Sequence, residues 1–417
     1  MSGASRFGRQ IATIGSAIAV ASVLGYLLQI VVGRSVSPAE YGVFISFWGV
    51  TFGLASSLST TEQEVARRTT DGDVTSPPST GTTTLVAAAI ATAVGSLTLV
   101  PAVGARVFGA PSPTFATVVA VSAAGFAVQF ATRGRLIGLA QTRRFGVLVV
   151  AEAGLRIAAL LVAIALADRL TPGLAAVCVG FGAFAWLVLP GAAREVVRGA
   201  RGSHVVAATR RTSTLMLAAA LTALLITGFP TLVTTTTGQH PGAAGGAVFA
   251  ALTVSRIPLL LVSPLQALTV PAVVRWRAGQ GTDGGASARR VLLLGAAGLM
   301  VLSALGALAG WLIGPWVVRV VYGPDYVVSG VAVALLVASA VLLAGVLLVS
   351  AVMVAVEAHR EMTAMWAVAL AGTLVWLATS PLDLVLTTAV GTAVAPVVAL
   401  PLGLAVVLRR LSAPHDG

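Results

Sequence analysis

The residues of this sequence that could do chemistry are ionisable side chains placed inside long apolar runs. Glu152 and Arg156 stand four residues apart near the middle of the run 145–167. An acid four residues before a base is the favourable order for an ion pair on a helix. Arg256 stands some thirteen residues into the run 243–270, with no acidic residue nearby in sequence. A charge at the bilayer centre costs about 2.5–3.5 kcal/mol on the translocon scale, so these positions predict binding of a polar or charged ligand.

Both positions also have a structural interpretation. Glu152 and Arg156 could neutralise each other inside a helix bundle, and Arg256 could pair with Glu62, Glu64 or Glu152 on another helix. The sequence leaves these alternatives open. Because a lone midspan arginine needs a partner from another helix or from a ligand, Arg256 is the strongest candidate for contact with an anionic substrate. Arg156 and Glu152 are expected to line the same cavity.

Two prolines follow Arg256 within the same run, at Pro258 and Pro264. Each removes a backbone donor and tends to kink the helix. The freed carbonyl groups are tolerable inside a membrane only where protein or a water-filled cavity meets them. A kinked helix that carries a midplane arginine therefore predicts a binding site.

Glu62 and Glu64 close the second apolar run, where an acid opposes the helix dipole unless it is paired. Glu64 and Arg68 have the spacing of a local ion pair. A gate at the inner end of the bundle is the alternative role for Glu62 and Glu64.

Arg34 and several glutamines complete the candidate set. Arg34 ends the first run six residues before Glu40, and it either belongs to an outer gate or extends its head group to the membrane interface. Gln29, Gln129 and Gln266 lie inside predicted spans. These glutamines could supply hydrogen bonds to a ligand in a cavity or could join neighbouring helices.

The sequence carries one candidate catalytic motif, Asp71-Gly-Asp73, with the D-x-D spacing that glycosyltransferases use to hold a metal and a sugar nucleotide. Because no strand or domain surrounds it, we interpret it as part of a solvated loop. The sequence has no P-loop, no H-E-x-x-H and no G-x-S-x-G. The histidines are scattered through separate loops and the tail at His204, His240, His359 and His415, and the single cysteine is Cys178 in a predicted span. We expect no catalytic residue, no metal site and no cofactor.

The elements that must position these residues are long apolar runs. Hydrophobic residues make up 57% of the chain and charged residues 10%, against roughly 25% charged residues in a soluble domain. A spanning helix needs about 20 mostly apolar residues. Twelve runs of about this length occur, at 11–33, 42–61, 83–105, 113–132, 145–167, 171–191, 212–236, 243–270, 291–318, 328–356, 362–381 and 385–407. The sequence predicts an all-α integral membrane protein.

The basic residues predict the orientation of these spans. All 26 are arginine, and 20 of them fall in the alternate loops on one side. The opposite side has Arg34, Arg106, Arg169 and Arg319. By the positive-inside rule, the chain is a multi-pass protein of the cell membrane with both termini in the cytoplasm. The net charge of +12 is then expected to meet anionic membrane lipids. We expect no nucleic-acid partner, because no basic–aromatic platform accompanies the arginines.

Two local similarities indicate an internal duplication. Arg106-Val-Phe-Gly109 reappears 213 residues later as Arg319-Val-Val-Tyr-Gly323, and the inner loops 139–144 and 356–360 resemble each other at an offset of 216. Together they predict two six-helix lobes related by a pseudo-two-fold axis around a central cavity, the architecture of alternating access. The expected divisions are an N-lobe at 1–191, a basic cytoplasmic linker at 192–211 and a C-lobe at 212–417.

The outer connections are about ten residues or fewer. Loops of this length are too short to build an extracellular catalytic domain. A membrane enzyme of glycan assembly, such as a polymerase or a ligase, is therefore the less favoured alternative.

Three segments carry a resemblance to a known family. Segment 27–44, LLQIVVGRSVSPAEYGVF, resembles the opening of the polysaccharide-biosynthesis, or O-antigen flippase-like, proteins. Segments 253–264, TVSRIPLLLVSP, and 321–326, VYGPDY, are similar to the second half of that family. The family belongs to the multidrug/oligosaccharidyl-lipid/polysaccharide exporter (MOP) superfamily, whose members have two six-helix lobes and a central cavity.

The resemblance implies a flippase that moves a polyprenyl-diphosphate-linked oligosaccharide from the inner to the outer leaflet, beside a polysaccharide polymerase or glycosyltransferases. In such proteins cavity arginines are thought to meet the diphosphate, a role that would fall to Arg256, Arg156 and Arg34. The alternative is a cation-coupled small-molecule or multidrug exporter of the same superfamily. That mechanism usually needs a buried carboxylate in the first lobe. Glu152 is the only acidic residue in the middle of a predicted span.

Overall fold

The protein is nearly all helical in a computed structural model, which describes residues 3–72, 79–110, 112–198, 204–262, 265–266, 269, 273 and 284–412. The described part of the chain forms two compact units, Met1–Pro241 and Gly242–Gly417. The helices of the first unit are α1 Gly3–Ser35, α2 Pro38–Ser57, α3 Ser59–Thr70, α4 Thr80–Ser96, α5 Pro101–Phe108, α6 Pro113–Gly138, α7 Thr142–Leu166, α8 Pro172–Phe181, α9 Pro190–Val197, α10 Val205–Ile226 and α11 Phe229–Thr237. Those of the second unit are α12 Gly242–Ser255, α13 Gly284–Tyr322, α14 Gly330–Ala355, α15 His359–Thr379 and α16 Leu384–Ser412.

The helix starts in the first unit follow from local sequence. At α2, the Ser37 hydroxyl accepts from the Glu40 amide at 3.4 Å, and the Glu40 carboxylate accepts from the Ser37 amide at 2.9 Å. This reciprocal capping box satisfies two amide groups that would otherwise lack partners at the first turn. Pro38 occupies the first helical position, where its missing N–H costs nothing. The sequence Ser37-Pro-Ala-Glu40 thus marks a sharp start of α2.

Ten helices of the described chain are long and apolar enough to cross a membrane, and two bent pairs bring the number to as many as twelve. The bent pairs are Pro172–Val188 with Pro190–Val197, at 87°, and Val205–Ile226 with Phe229–Thr237, at 83°. Each of the twelve predicted runs coincides with one of these candidates. The prediction of an all-α membrane protein with about twelve spans is confirmed.

Some span boundaries were predicted wrongly. The third run was drawn as continuous over 83–105, but α4 gives way to a 3₁₀ turn at Leu97–Leu99 and a new helix starts at Pro101. Proline cannot donate to the preceding turn, so the helix breaks there. The fourth run was ended at 132, but α6 continues to Gly138. Of the two prolines expected to kink the eighth run, Pro264 lies outside the described residues, and Pro258 lies in the 3₁₀ turn Ile257–Leu261 that follows α12.

The first unit is built on α6 and α7. α6 packs against α3, α4, α8 and α9, and α7 packs against α1 and α8. Helices α10 and α11 also belong to this unit, where α10 contacts α2, α3 and α4. The lobe division at 192–211 stays a prediction.

In the second unit, α13 and α14 pack closely through small residues. Gly306, Gly310 and Gly314 recur every four residues on one face of α13 and meet Val333 and Val337 of α14. A Cβ atom at Gly310 would lie 3.1 Å from the Val333 carbonyl oxygen. Small residues at this spacing allow close backbone approach between membrane helices. α14 in turn packs against α16, and α16 packs against α15.

Candidate functional site: a buried arginine–glutamate cluster

Two neighbouring helices of the first unit each present a polar pair with the spacing i,i+4. Gln129 and Arg133 lie on α6, and Glu152 and Arg156 lie on α7. Side chains four residues apart lie on the same face of a helix. At 1.5 Å per residue, Glu152 lies about 15 Å and Arg156 about 21 Å along α7 from Thr142, which places both in the middle of the span.

The four side chains meet at the Glu152 carboxylate. Arg133 and Arg156 each donate a hydrogen bond to it and form ion pairs, and the Gln129 amide donates to it at 2.5 Å. The side chains of Glu152, Arg156 and Arg133 are exposed to only 10%, 7% and 13%. The arrangement, called here the Glu152 cluster, holds one acid and two bases and has a net charge of +1.

Aromatic rings form one wall of the Glu152 cluster. The Arg156 guanidinium carbon lies 4.7 Å from the Phe52 ring centroid and 5.7 Å from that of Phe126. Arg133 lies 4.8 Å from the Phe130 centroid. Each contact is worth about 0.5–2 kcal/mol, more where the cation is desolvated. Phe52 and Phe130 are themselves only half-buried.

Part of the polar capacity of the Glu152 cluster is unused. Gln129 Oε1, Arg133 Nε and Arg156 Nε are buried and have no hydrogen-bond partner among the described residues. A buried donor or acceptor without a partner costs about 1–3 kcal/mol. Two unused N–H donors beside a net positive charge are the chemistry that binds a carboxylate, sulfate or phosphate.

Two glycines allow neighbouring segments of the chain to pack closely against the cluster. A Cβ atom at Gly182, in the turn after α8, would collide with the Arg156 side chain. A Cβ atom at Gly134 would collide with the Glu62 carbonyl oxygen, so α3 crosses α6 next to Arg133. The Glu62 carboxylate is also under the electrostatic attraction of Arg133. Glu62 therefore borders the cluster, although its role as a gate stays a prediction.

A second ionic network centres on Glu64 and lies towards the C-terminal end of α3. Glu64 accepts from Arg68 Nε at 2.6 Å, from Arg67 at 3.2 Å and from Arg211 of α10 at 3.1 Å. Arg67 also pairs with Asp71 at 3.0 Å. The Glu64–Arg68 pair has the predicted spacing, and the Glu64–Arg211 contact joins helices 147 residues apart in the chain.

The remaining residues of the predicted set are separated from the Glu152 cluster or occupied locally. In the first unit, Gln29 donates to the Gly25 carbonyl of its own helix at 3.5 Å, and Arg34 is exposed at the end of α1. Glu40 pairs with Arg169 at 2.7 Å. None of these three residues joins the cluster.

The other two candidates belong to the second unit. Gln266 donates to the Leu347 carbonyl at 2.9 Å, which is a helix-joining contact. Arg256 is half-buried in the turn where α12 ends and the 3₁₀ turn begins. The expected substrate contacts of Arg256 and Gln266 stay predictions.

The sequence interpretation did not include Arg133 in the candidate set. Arg133 was assigned to an inner loop because its run was ended at 132, yet it is a helical residue inside α6. The signal that could have found it is the repeated i,i+4 spacing, Gln129 with Arg133 and Glu152 with Arg156, on consecutive spans. Within the described residues, no group of three or more His, Cys, Asp or Glu side chains could hold a metal ion.

No family model matches the sequence. The uncharacterised protein Rv1510 of Mycobacterium tuberculosis is 30% identical over 425 residues, covering 96% of this chain and 92% of its own length. The uncharacterised protein Rv3630 of the same organism is 29% identical, covering 89% of this chain and 86% of its own length. The chain belongs to the family of these mycobacterial proteins.

Solved structures give this family its fold. An inward-facing MATE family multidrug resistance transporter of the MOP superfamily superposes with a TM-score of 0.63 at 16% identity, covering 95% of this chain and 100% of its own. A eukaryotic MATE transporter superposes with a TM-score of 0.60 at 16% identity, covering 97% and 96%. At this identity the likeness concerns the fold, which is the twelve-helix, two-lobe fold of the MATE transporters. The first of these transporters is a member of the MOP superfamily, which the sequence resemblance also named.

Proposed function

We propose that the protein is a membrane transporter that exports small anionic molecules by alternating access. The observation that carries the proposal is the Glu152 cluster, a net positive site with unused N–H donors in the middle of a span. The MATE-type fold supports transport, and the Glu152 cluster lies at midspan depth, the depth at which transporters of this kind bind their substrates. The fold favours the exporter alternative of the sequence interpretation over the flippase.

The chemistry of the Glu152 cluster selects the sign of the substrate charge. Glu152 already accepts from Arg133, Arg156 and Gln129, so a cationic substrate would have to displace two guanidinium groups from it. An anion would instead meet a net charge of +1, with the Nε donors of Arg133 and Arg156 still unused. The half-buried rings of Phe52 and Phe130 would take the apolar part of the same molecule.

An anionic substrate also bears on the energy source. With the cell interior negative, an anion moves outward downhill by about 2.3 kcal/mol per charge for each 100 mV. Membrane potential can therefore drive export even without H⁺ or Na⁺. Cation coupling through Glu152 is disfavoured, because two guanidinium groups already hold this carboxylate.

The test is uptake into inside-out proteoliposomes of three fluorescent dyes of similar size: an anionic, a cationic and a neutral aromatic one. We expect saturable uptake of the anionic dye, lowered more than tenfold in Arg156→Gln and unchanged in Arg106→Gln. Arg106 is exposed at the end of α5, so its substitution removes the same charge away from the cluster. Preference for the cationic dye, or equal uptake by the two variants, would overturn the anion proposal.

A lipid-linked oligosaccharide flippase is the second candidate, and the net positive charge of the Glu152 cluster specifically favours it. A polyprenyl diphosphate offers the same anionic oxygens as a small anion. The two are separated by supplying polyprenyl-diphosphate oligosaccharide in the inner leaflet and measuring its exposure to an external lectin. Flipping of this lipid without uptake of any dye would assign the flippase function.

A further inference from the structure

We infer that the N-terminal part of α10 binds the phosphate of an anionic membrane lipid, and that this lipid competes with Glu64 for Arg211. The site is a groove lined by His204, Arg210, Arg211 and Thr214, with Val206 and Leu215 beside them. The inference does not depend on the identity of the transported substrate.

Charge complementarity identifies the occupant. Arg210 and Arg211 are both exposed, and Arg210 has no carboxylate partner among the described residues. The ion-pair network behind the groove contains Arg67, Arg68 and Arg211 against Glu64 and Asp71, a net charge of +1. One lipid phosphodiester would neutralise it.

The apolar residues of the groove favour a lipid over a soluble anion. Of the residues that line the groove, Val206 is 83% exposed and Leu215 is 37% exposed, and Leu217, which does not line it, is 68% exposed on the same helix. Valine and leucine side chains so exposed within a candidate span are suited to acyl chains. Arginines next to them lie where a head group would be, as in other basic segments at a membrane surface.

Arg211 connects this groove to buried residues of the first unit. Its side chain is 50% exposed, yet it reaches Glu64, whose side chain is only 8% exposed, at 3.1 Å. Arg211 also lines the small cavity behind the groove, together with Thr61 and Thr83. The hydroxyl groups of Thr61 and Thr83 are buried and have no partner among the described residues.

Exchange of partners at Arg211 is feasible because Glu64 would remain paired. Arg68 donates to Glu64 at 2.6 Å and Arg67 at 3.2 Å, both from α3 itself. A phosphate that takes Arg211 therefore leaves no unpaired buried acid. What it removes is the Glu64–Arg211 ion pair between α3 and α10, so the lipid would loosen the contact between these two helices at their predicted cytoplasmic ends.

Lipid binding is measured first, by native mass spectrometry of protein released from nanodiscs of phosphatidylglycerol mixed with phosphatidylcholine. We expect retained phosphatidylglycerol to fall about fivefold for each arginine lost, so that Arg210→Gln/Arg211→Gln loses most of it. The matched control is Arg143→Gln/Arg144→Gln, which removes two exposed arginines from the start of α7. Equal retention by the two double variants would overturn the site.

Helix separation is measured next, by the distance between spin labels at Gln63→Cys and Thr209→Cys, two exposed positions on α3 and α10, in a Cys178→Ser background. Phosphatidylglycerol should lengthen this distance relative to phosphatidylcholine alone, and Glu64→Gln should lengthen it in either lipid. Lipid binding without a change in distance would overturn the competition for Arg211. Lengthening by inorganic phosphate in phosphatidylcholine would overturn the assignment to a lipid.

Discussion

Replacing Glu152 by glutamine should be among the most destabilising single polar substitutions in the first unit. The change removes the one carboxylate that forms ion pairs with Arg133 and Arg156 among the described residues, and it raises the net charge of the Glu152 cluster from +1 to +2. Removing one partner of a buried ion pair costs about 3–5 kcal/mol, because the remaining charge stays buried. The glutamine oxygen can still accept one hydrogen bond, so we expect a loss near the lower end, about 3 kcal/mol.

The assay is reversible unfolding in mixed micelles with increasing SDS, followed by tryptophan fluorescence. Glu195→Gln is the matched control, because it also removes one carboxylate from ion pairs, with Arg198 at 3.0 Å and Arg135 at 3.8 Å, but Glu195 itself is 41% exposed and these arginines are 78% and 25% exposed. An exposed pair is worth about 0–1 kcal/mol. Equal losses of unfolding free energy in the two variants would refute the claim that the cluster is a buried, energetically coupled unit.

A double-mutant cycle sharpens the same test. Glu152→Gln/Arg156→Gln returns the net charge of the cluster to +1, the value in the native protein. Its cost should therefore be smaller than the sum of the two single losses by about 0.5–3 kcal/mol. Strict additivity would mean that the two side chains do not compensate each other.

Three further substitutions test the packing that positions the cluster, of which two should destabilise the protein and the third is a control. Ser37→Ala should cost about 1 kcal/mol of unfolding free energy because it removes the capping box of α2, and the same SDS titration checks it; no loss would show that the cap is dispensable. Gly134→Ala should cost about 1–3 kcal/mol, because its Cβ would collide with the Glu62 carbonyl. Gly154→Ala on α7, where no atom lies within 4 Å of the new Cβ, should be neutral or stabilising by up to about 1 kcal/mol; the opposite order in the same titration would contradict the close approach of α3 to α6.

The spans could be predicted from sequence because a membrane constrains them severely. Every backbone polar group in lipid must be satisfied internally, so about twenty apolar residues imply a helix. The boundaries were harder to predict because they depend on local features with weak signals. Arg133 and Arg135 end an apolar run by composition, but α6 continues to Gly138, two residues before Ala140, whose positive φ of 53° is incompatible with the helix.

The candidate site could be predicted only in part, for a related reason. The Glu152–Arg156 pair is local and follows from the i,i+4 spacing. The contacts of Arg133 and Gln129 with Glu152 span 19 and 23 residues and require the register between α6 and α7. No sequence pattern predicts that Arg211 contacts Glu64, which lies 147 residues away in the chain. Residue types and helical period predict which side chains share a face, while packing decides which faces meet.

The net charge of the Glu152 cluster is itself an argument for binding. Two antiparallel spans bring two guanidinium groups to one carboxylate, so the cluster itself carries one positive charge in excess, and the bordering Glu62 forms no ion pair with it among the described residues. If the cluster served only to join α6 to α7, Glu152 with Arg156 and Gln129 would suffice, without Arg133. Holding the extra charge inside a span costs about 2.5–3.5 kcal/mol, and the contact of Arg133 with Phe130 offsets only part of that cost. An anion that arrives and leaves in each cycle would account for the remainder, since the site must be incomplete when empty in order to bind its substrate.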